Sequence, residues 1–211
     1  MGEQKKVFII KGGLFGLSVA FFALITYLVA TGRLNDGDAL VSQAFYCLRT
    51  PGLTTLMEGL TYLGNWESIT VICLLLLIYP KTRFACGIPV SLVAIITTVI
   101  KAGMKPLLAR PRPEAIYHLI DQGGYSYPSG HAITSIAVFM ILIVMVRQNV
   151  EDRKKASLMT LALLIPALGI GLSRIYLGVH HPSDVMGAWF AGLAVMVMVW
   201  TIMDHIKIRD R

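Results

Sequence analysis

Charged residues are scarce in this sequence. Asp, Glu, Lys and Arg make up only 15% of its 211 residues, whereas soluble globular domains carry about 25%. Hydrophobic residues make up 55% of the chain, and the mean hydropathy is +0.68. So few charged residues do not suit the surface of a soluble domain, and the composition therefore indicates a membrane protein.

Cysteine is also rare, and the basic residues form no cluster of the kind that binds nucleic acid. The three cysteines, Cys47, Cys73 and Cys86, are odd in number and far apart, which excludes a disulfide framework and a zinc site. The net charge is +7, but Lys and Arg are spread over short segments rather than along one stripe. Nucleic-acid binding is therefore excluded.

Long apolar runs account for most of the chain. A helix needs about 20 apolar residues to cross a bilayer, and six runs approach that length: 12–30, 66–79, 84–100, 132–146, 158–172 and 185–203. We therefore predict an all-α, polytopic membrane protein whose six transmembrane helices form a bundle and a single domain, residues 1–211. The first run lacks a clear cleavage site, which predicts a retained span rather than a signal peptide.

Two segments precede the second span. Residues 31–51 are predicted to be a polar connection. In residues 53–63, Leu and Met recur at helical spacing between Thr and Glu. This pattern indicates either an amphipathic helix at the membrane surface or the start of the second span.

The distribution of basic residues predicts an orientation. Most Lys and Arg lie near the termini and in the connections after the second and fourth spans. The positive-inside rule then predicts that both termini lie in the cytoplasm. The expected location of the protein is the plasma (inner) membrane. Four cations fall on the extracytoplasmic side against this rule, and cations in such positions are functional candidates. They are Lys105, Arg110, Arg112 and Arg174.

Three polar segments lie at that side. In the first, Lys105 to Pro113, three prolines are predicted to stop a helix and hold the cations in extended chain, which suits a fixed anion. The alternative is a cluster of basic side chains at the lipid headgroups.

In the second segment, Ser129 and Gly130 precede an apolar helix whose first amides form an anion site. The alternative there is an ordinary helix cap beside an interfacial His131.

The third segment runs from Ser173 to Asp184. The spacing lets Asp184 reach the ring of His180, and a carboxylate that accepts from Nδ1–H leaves Nε2 as a nucleophile or base. The alternative is a salt bridge between Asp184 and Arg174.

Together the segments resemble the type 2 phosphatidic acid phosphatase family, which shares its site with vanadium haloperoxidases. The matching motifs are Lys105, six residues, Arg112-Pro113; Pro128-Ser-Gly-His131; and Ser173-Arg174, five residues, His180, three residues, Asp184. They occur in the family's order, within a motif-bearing core of about 84–205. The resemblance implies a lipid phosphatase with its active site at the extracytoplasmic end of the bundle.

The resemblance also implies residue roles. His180 would attack phosphorus and form a phosphohistidine, Asp184 would orient His180, and His131 would protonate the leaving oxygen and then activate water. The phosphate-binding set would be Lys105, Arg112, Ser129, Gly130 and Arg174. Because three cations supply the charge that a metal ion supplies elsewhere, no metal or other cofactor is expected.

Two residues near the motifs lie outside the family pattern. His181 receives no catalytic role. Arg110 is expected to hold a second phosphate or a lipid headgroup, and the loop from Glu114 to Gly124 is expected to touch that headgroup.

Other function classes fit the residues less well. A metal hydrolase using His131, His180, His181 and Asp184 would place three cations beside its metal. A membrane protease built from Ser129 or Ser173 with His180 and Asp184 leaves those cations unexplained. A non-catalytic lipid transporter would tolerate loss of a catalytic residue, and none is missing.

The expected substrate is a phosphate-bearing membrane lipid, because the site faces the outer interface of a chain with almost no soluble mass. The resemblance to compact bacterial members of the family favours undecaprenyl diphosphate, followed by phosphatidylglycerol phosphate and phosphatidic acid.

Overall fold

The computed structural model describes residues 2–209, and within that range the chain forms helices and connections without a β-strand. The predicted domain, 1–211, therefore extends beyond the described range at residues 1, 210 and 211. A π-helical turn, Arg83–Gly87, and a 3-10 turn, Ala115–Tyr117, accompany the α-helices. These are α1 (Glu3–Ala30), α2 (Asn35–Cys47), α3 (Pro51–Leu63), α4 (Trp66–Ile78), α5 (Pro80–Thr82), α6 (Ile88–Leu108), α7 (Gly130–Asn149), α8 (Arg153–Tyr176) and α9 (Pro182–Arg209).

The predicted all-α membrane fold is confirmed, with one modification to the second span. Among the described residues, five helical segments are long and apolar enough to cross a bilayer: α1, α5 with α6, α7, α8 and α9. Helices α3 and α4 are apolar enough only as a pair, and they meet at a bend of 51°, which is the geometry of a broken sixth span or of a re-entrant loop. Residues 53–63 form most of a helix of their own, α3, which is separated from α4 by Gly64 and Asn65.

Two sequence predictions about the connections were wrong. Residues 31–51 are not only a polar connection, because they contain α2, whose first turn carries Asp36 and Asp38. Acidic side chains there complement the helix dipole. Pro106 does not stop its helix, since α6 continues to Leu108. A proline in the last turn removes only one intrahelical hydrogen bond, and the helix is capped by Ala109, where φ is 45°.

Helix α7 lies at the centre of the bundle and packs against α6, α8 and α9. A continuous apolar core joins Val93 of α6, Ile141 of α7 and Val197 of α9. Helix α1 packs on α9, yet only 17% of the residues in its most apolar stretch are buried inside the protein. Its large exposed side chains, such as Phe8 and Leu17, would face the hydrocarbon of the bilayer.

The alternation of the spans brings all three motif segments to one end of the bundle. Residues 31–50, 109–129 and 177–181 connect helices at this end, called here the site end. The opposite end contains the α4–α6 and α7–α8 connections. Near it, Lys11 of α1 pairs with Asp204 of α9 at 2.5 Å and lies 4.0 Å from the centre of the Trp200 ring. This pair fixes α1 against α9.

The charge distribution predicts that the site end is extracytoplasmic. In a cysteine-free background, we expect Ile116→Cys at the site end, where the side chain is 82% exposed, to react with a membrane-impermeant maleimide in intact cells. Glu151→Cys, exposed at the opposite end, should react only after permeabilisation. Labelling of position 151 from outside would reverse the orientation.

Candidate active site

The ring of His180 is buried and is held at both nitrogens. Its Nδ1–H points to Asp184 Oδ2 at 3.4 Å, and Arg112 Nη1 donates to its Nε2 at 3.1 Å. Because a guanidinium can only donate, Nε2 is the unprotonated nitrogen. The tautomer expected from the sequence is therefore the one that this geometry favours, with the lone pair of Nε2 directed at a cation.

Asp184 pairs with Arg110 rather than with Arg174. Arg110 Nη1 donates to Asp184 Oδ1 at 2.6 Å, and Arg110 Nη2 donates to Asp38 Oδ2 at 2.6 Å. Ser183 completes the network by donating its amide and hydroxyl to the Asp38 carboxylate. The guanidinium of Arg110 is thus occupied by two buried carboxylates, and its expected role in holding a second phosphate or a headgroup is not supported.

Backbone carbonyls hold Arg112. Its Nε and Nη2 donate to the carbonyls of Gly123 and Gly124, and its Nη1 donates to the carbonyl of Val179 at 2.6 Å. Neutral oxygens fix the direction of the guanidinium without cancelling its charge. Arg112 therefore remains a cation toward the cavity that it lines.

Arg174 is also held by neutral groups. Nη1 donates to Thr61 Oγ1 at 2.8 Å, and Nη2 donates to Gln122 Oε1 at 2.5 Å. Its Nε is buried and has no hydrogen-bond partner among residues 2–209. A buried donor without a partner is costly unless a ligand meets it, and a phosphoryl oxygen would satisfy Nε.

Ser129 occupies the N-cap position of α7, but its side chain does not cap the helix. The Ser129 amide donates to the backbone carbonyl of Asp184, whereas the hydroxyl is buried and lacks a partner within the described part of the chain. The ordinary-cap interpretation is therefore wrong. The first amide N–H groups of α7, beginning with that of Gly130, have no carbonyl in a preceding turn to which they can donate.

His131 is held in place by a residue from the α3–α4 break. Its Nε2–H donates to Asn65 Oδ1 at 2.8 Å. The adjacent Gly64 has to be small, since a Cβ there would lie 2.5 Å from Ile170 Cγ2 and 3.2 Å from the His131 ring. The bend between α3 and α4 thus brings Asn65 to the histidine.

Four of the expected site side chains line one cavity of about 870 Å³, whereas Ser129, Arg174 and Asp184 are buried outside its lining. Lys105, Arg112, His131 and His180 line its polar end, together with Lys101, one helical turn before Lys105. The remaining wall comes mainly from apolar residues of α4 and α6. The cavity therefore joins a cationic end to an apolar groove within the membrane-spanning part of the bundle.

The loop from Glu114 to Gly124 positions both site arginines. Gln122 accepts a hydrogen bond from Arg174, and the carbonyls of Gly123 and Gly124 accept from Arg112. His118 of the same loop lies 2.9 Å from the carbonyl oxygen of Pro113 and does not line the cavity. Contact between this loop and a lipid headgroup stays a prediction.

No group of three or more His, Cys, Asp or Glu side chains within residues 2–209 is arranged to hold a metal ion. His131 and His180, proposed above as ligands in the metal-hydrolase alternative, are instead bonded to Asn65 and to Asp184 with Arg112. The donor set fits an anion better than a cation.

Comparison with known proteins identifies the family. The PAP2 superfamily model matches residues 86–207, which contain every catalytic and phosphate-binding residue expected from the sequence. The chain belongs to the PAP2 superfamily.

Similar members of the PAP2 superfamily include bacterial and archaeal proteins. Phosphatidylglycerophosphatase B of Bacillus subtilis is 26% identical over 89% of this chain and 93% of its own length. An undecaprenyl-diphosphatase of Sulfolobus acidocaldarius is 32% identical over 66% of each chain. The crystal structure of a transmembrane PAP2 type phosphatidylglycerolphosphate phosphatase from Bacillus subtilis has a TM-score of 0.80, with 25% identity over 91% of this chain and 96% of that chain.

Some site residues could not be found from the PAP2 motifs. They are Asp38, Thr61, Asn65, Lys101, Gln122 and Ser183. A weak signal exists for Asp38, which lies four residues before Ser42 and so shares a helix face with it. Nothing in the sequence indicates that this polar face is the buried one.

Asp38 should matter to the site although it does not line the cavity. We expect Asp38→Asn to lower the melting temperature and to reduce kcat/KM by about tenfold or more, because breaking a buried ion pair costs about 3–5 kcal/mol and loosens Arg110 against Asp184. The control is Asp36→Asn, an exposed carboxylate in the same turn. Equal behaviour of the two variants in unfolding and kinetic assays would contradict this role.

His180 should stay neutral in mildly acidic solution. Burial lowers its pKa to about 3, and the hydrogen bond and charge of Asp184 raise it only in part. An unfolded histidine titrates near 6.5, so the contribution of His180 to stability is present above that pH and is lost as pH falls toward 3. NMR of labelled histidine, assigned with His180→Ala, should show a neutral ring from pH 8 to pH 5. A midpoint near 6.5 would contradict the geometry.

Proposed function

We propose that this protein is a lipid phosphatase that removes a terminal phosphate through a phosphohistidine on His180. One observation carries the proposal: a buried imidazole lies between Asp184 and Arg112, with the unprotonated Nε2 at the cationic end of the cavity. A nucleophile needs a lone pair beside positive charge that stabilises the phosphoryl group, and the lone pair of Nε2 becomes free when the Arg112 guanidinium turns its hydrogen bond to a phosphoryl oxygen.

The first step forms a bond between His180 Nε2 and phosphorus and breaks the bond from phosphorus to the leaving oxygen. His131, protonated on both ring nitrogens, keeps its Nε2–H on Asn65 and gives the Nδ1 proton to that oxygen. Lys105, Arg112 and Arg174 neutralise the phosphoryl oxygens, while the Ser129 hydroxyl and the first amides of α7, starting with Gly130, donate hydrogen bonds.

The second step uses water. His131, now deprotonated, takes a proton from water as the water oxygen attacks phosphorus, and the bond from phosphorus to His180 breaks. Inorganic phosphate leaves, and both histidines return to their starting states. Asp184 keeps the His180 ring oriented and stabilises it while it carries positive charge.

The apolar part of the cavity supports a lipid as substrate. Its wall includes Ile69, Leu74 and Leu77 on α4 and Ile95 and Val99 on α6. Helix α6 belongs to a membrane span and α4 to the bent helix pair, so we expect this wall to lie at the depth of the hydrocarbon. A lipid whose phosphate binds at the cationic end can place the start of its tail along this groove.

Undecaprenyl diphosphate is our first candidate substrate, and phosphatidylglycerol phosphate is the second. The Sulfolobus acidocaldarius relative, an undecaprenyl-diphosphatase, supports the first. The Bacillus subtilis phosphatidylglycerophosphatase B, which aligns over most of this chain, supports the second. The enzyme would work in the plasma membrane, with both termini cytoplasmic and the site extracytoplasmic.

The two histidines should fail differently with an activated aryl phosphate. His131→Ala keeps the nucleophile, and an aryl leaving group needs no proton. This variant should therefore release a burst of phenol and accumulate acid-labile phosphate on His180. Loss of general acid–base assistance typically slows a step by about 10²–10⁴-fold, so the trapped intermediate should be visible by rapid quench and mass spectrometry.

His180→Ala is the matched control, because it removes the nucleophile and should show neither burst nor phosphoprotein. Phosphate found on Ser129, or on His131 in the His180→Ala protein, would assign the nucleophile elsewhere and overturn the proposed chemistry.

A further inference from the structure

Lys101 is a cation of the cavity that the three motifs do not include. It lies in α6, four residues before Lys105, so both side chains share one face of the helix. Its side chain is half-buried and lines the cavity with Lys105, Arg112, His131 and His180. A lysine within a membrane span is costly and in general marks a functional position.

Lys101 forms no ion pair within the described part of the chain, although Glu67, an exposed carboxylate, also lines the cavity. Its stem packs on the first turn of α7, where a Cβ at Gly130 would lie 3.3 Å from Lys101 Cδ. Its charge is close enough to interact with Lys105 and His131, which carry no negative charge. In the described part of the chain, the ion pairs involve Lys11, Arg110 and His180, and none involves Lys101. An anion from outside the chain would compensate it.

The depth of Lys101 indicates where that anion lies. Helix α6 runs toward the site end, and four residues of helix rise about 6 Å, so Lys101 is deeper in the membrane than Lys105. It stands between the cationic end and the apolar groove wall formed by Ile95 and Val99. In the proposed reaction, the leaving group lies on the His131 side and continues into this groove.

We propose that Lys101 binds a second phosphate, carried by the leaving group between the terminal phosphate and the lipid tail. The proposal rests on the proposed function and narrows its substrate class. Lipid diphosphates and phosphatidylglycerol phosphate carry such a second phosphate. Phosphatidic acid does not, because its leaving group is an uncharged diacylglycerol.

The test compares two matched substrate pairs in wild type and Lys101→Met. Farnesyl diphosphate and farnesyl phosphate differ only in the second phosphate, and phosphatidylglycerol phosphate is paired with phosphatidic acid of the same acyl chains. In each pair, we take the ratio of kcat/KM for the substrate with the second phosphate to kcat/KM for the substrate without it. We expect Lys101→Met to lower this ratio by about 10- to 100-fold, which corresponds to the loss of one charge-assisted hydrogen bond. Lys101→Arg should retain most of the ratio.

The two pairs also separate the sources of the second phosphate. A fall confined to the farnesyl pair indicates diphosphate lipids, and a fall confined to the other pair indicates phosphatidylglycerol phosphate. A fall in both supports a site that accepts either. Lys81→Met, which removes an exposed lysine at the opposite end, should change neither ratio. An unchanged ratio for both pairs in Lys101→Met would overturn the proposal.

A second measurement needs no turnover. Inorganic pyrophosphate should raise the melting temperature of the wild type more than inorganic phosphate at equal concentration, and Lys101→Met should abolish the difference. An equal pyrophosphate advantage in both proteins would count against the site. If the wild type hydrolyses none of the four lipids, the proposed function fails, and this binding measurement alone decides for or against Lys101.

Discussion

The carboxylate of Asp184 is the interaction on which the rest of the site depends. One oxygen faces His180 Nδ1 and accepts from the His181 amide, and the other accepts from Arg110. A buried charge is costly unless it is paired and fully hydrogen-bonded, and Asp184 meets this condition through three partners. Because Arg110 also binds Asp38, the network joins α2, the 109–114 segment and α9. The orientation of the nucleophile is thereby fixed by the fold.

The three arginines of the polar motif segments, Arg110, Arg112 and Arg174, fall into two kinds. Arg110 is neutralised by two carboxylates, Asp38 and Asp184. Arg112 and Arg174 are held by backbone carbonyls, a hydroxyl and an amide oxygen. Neutral partners set the direction of a guanidinium while leaving its charge for a ligand. The first kind therefore supports the structure, and the second kind suits phosphate. In the sequence, Arg110 differs from the other two only in lying outside the family motifs, and its neutralisation by carboxylates is visible only in the structure.

The break between α3 and α4 has consequences for both ends of the cavity. It places Asn65 against His131, and it leaves α4 facing α6 across the groove. A straight span would keep the asparagine amide within a helix and away from the histidine. An irregular backbone at membrane depth is tolerated where it lines a cavity, and this one does so beside Gly64, which has no room for a side chain.

The sequence by itself determined the membrane class, the helical spans, the three motifs and their family. These features depend on local composition and on spacing along the chain, since apolar runs of span length can be stable only as helices in lipid. It also anticipated the His180–Asp184 pair, because the short spacing lets Asp184, in the first turn of α9, reach the ring of His180 just before that helix.

Only the tertiary structure decided the partners that lie far apart in sequence. Asp38 meets Arg110 across 72 residues, Asn65 meets His131 across 66, and Thr61 meets Arg174 across 113. Such contacts follow from how the spans pack and from which polar face becomes buried, and neither leaves a periodic signal. The sequence therefore indicates the partner of a charged residue only where that partner is local. Arg110 acquires its two carboxylate partners from the packing of the bundle.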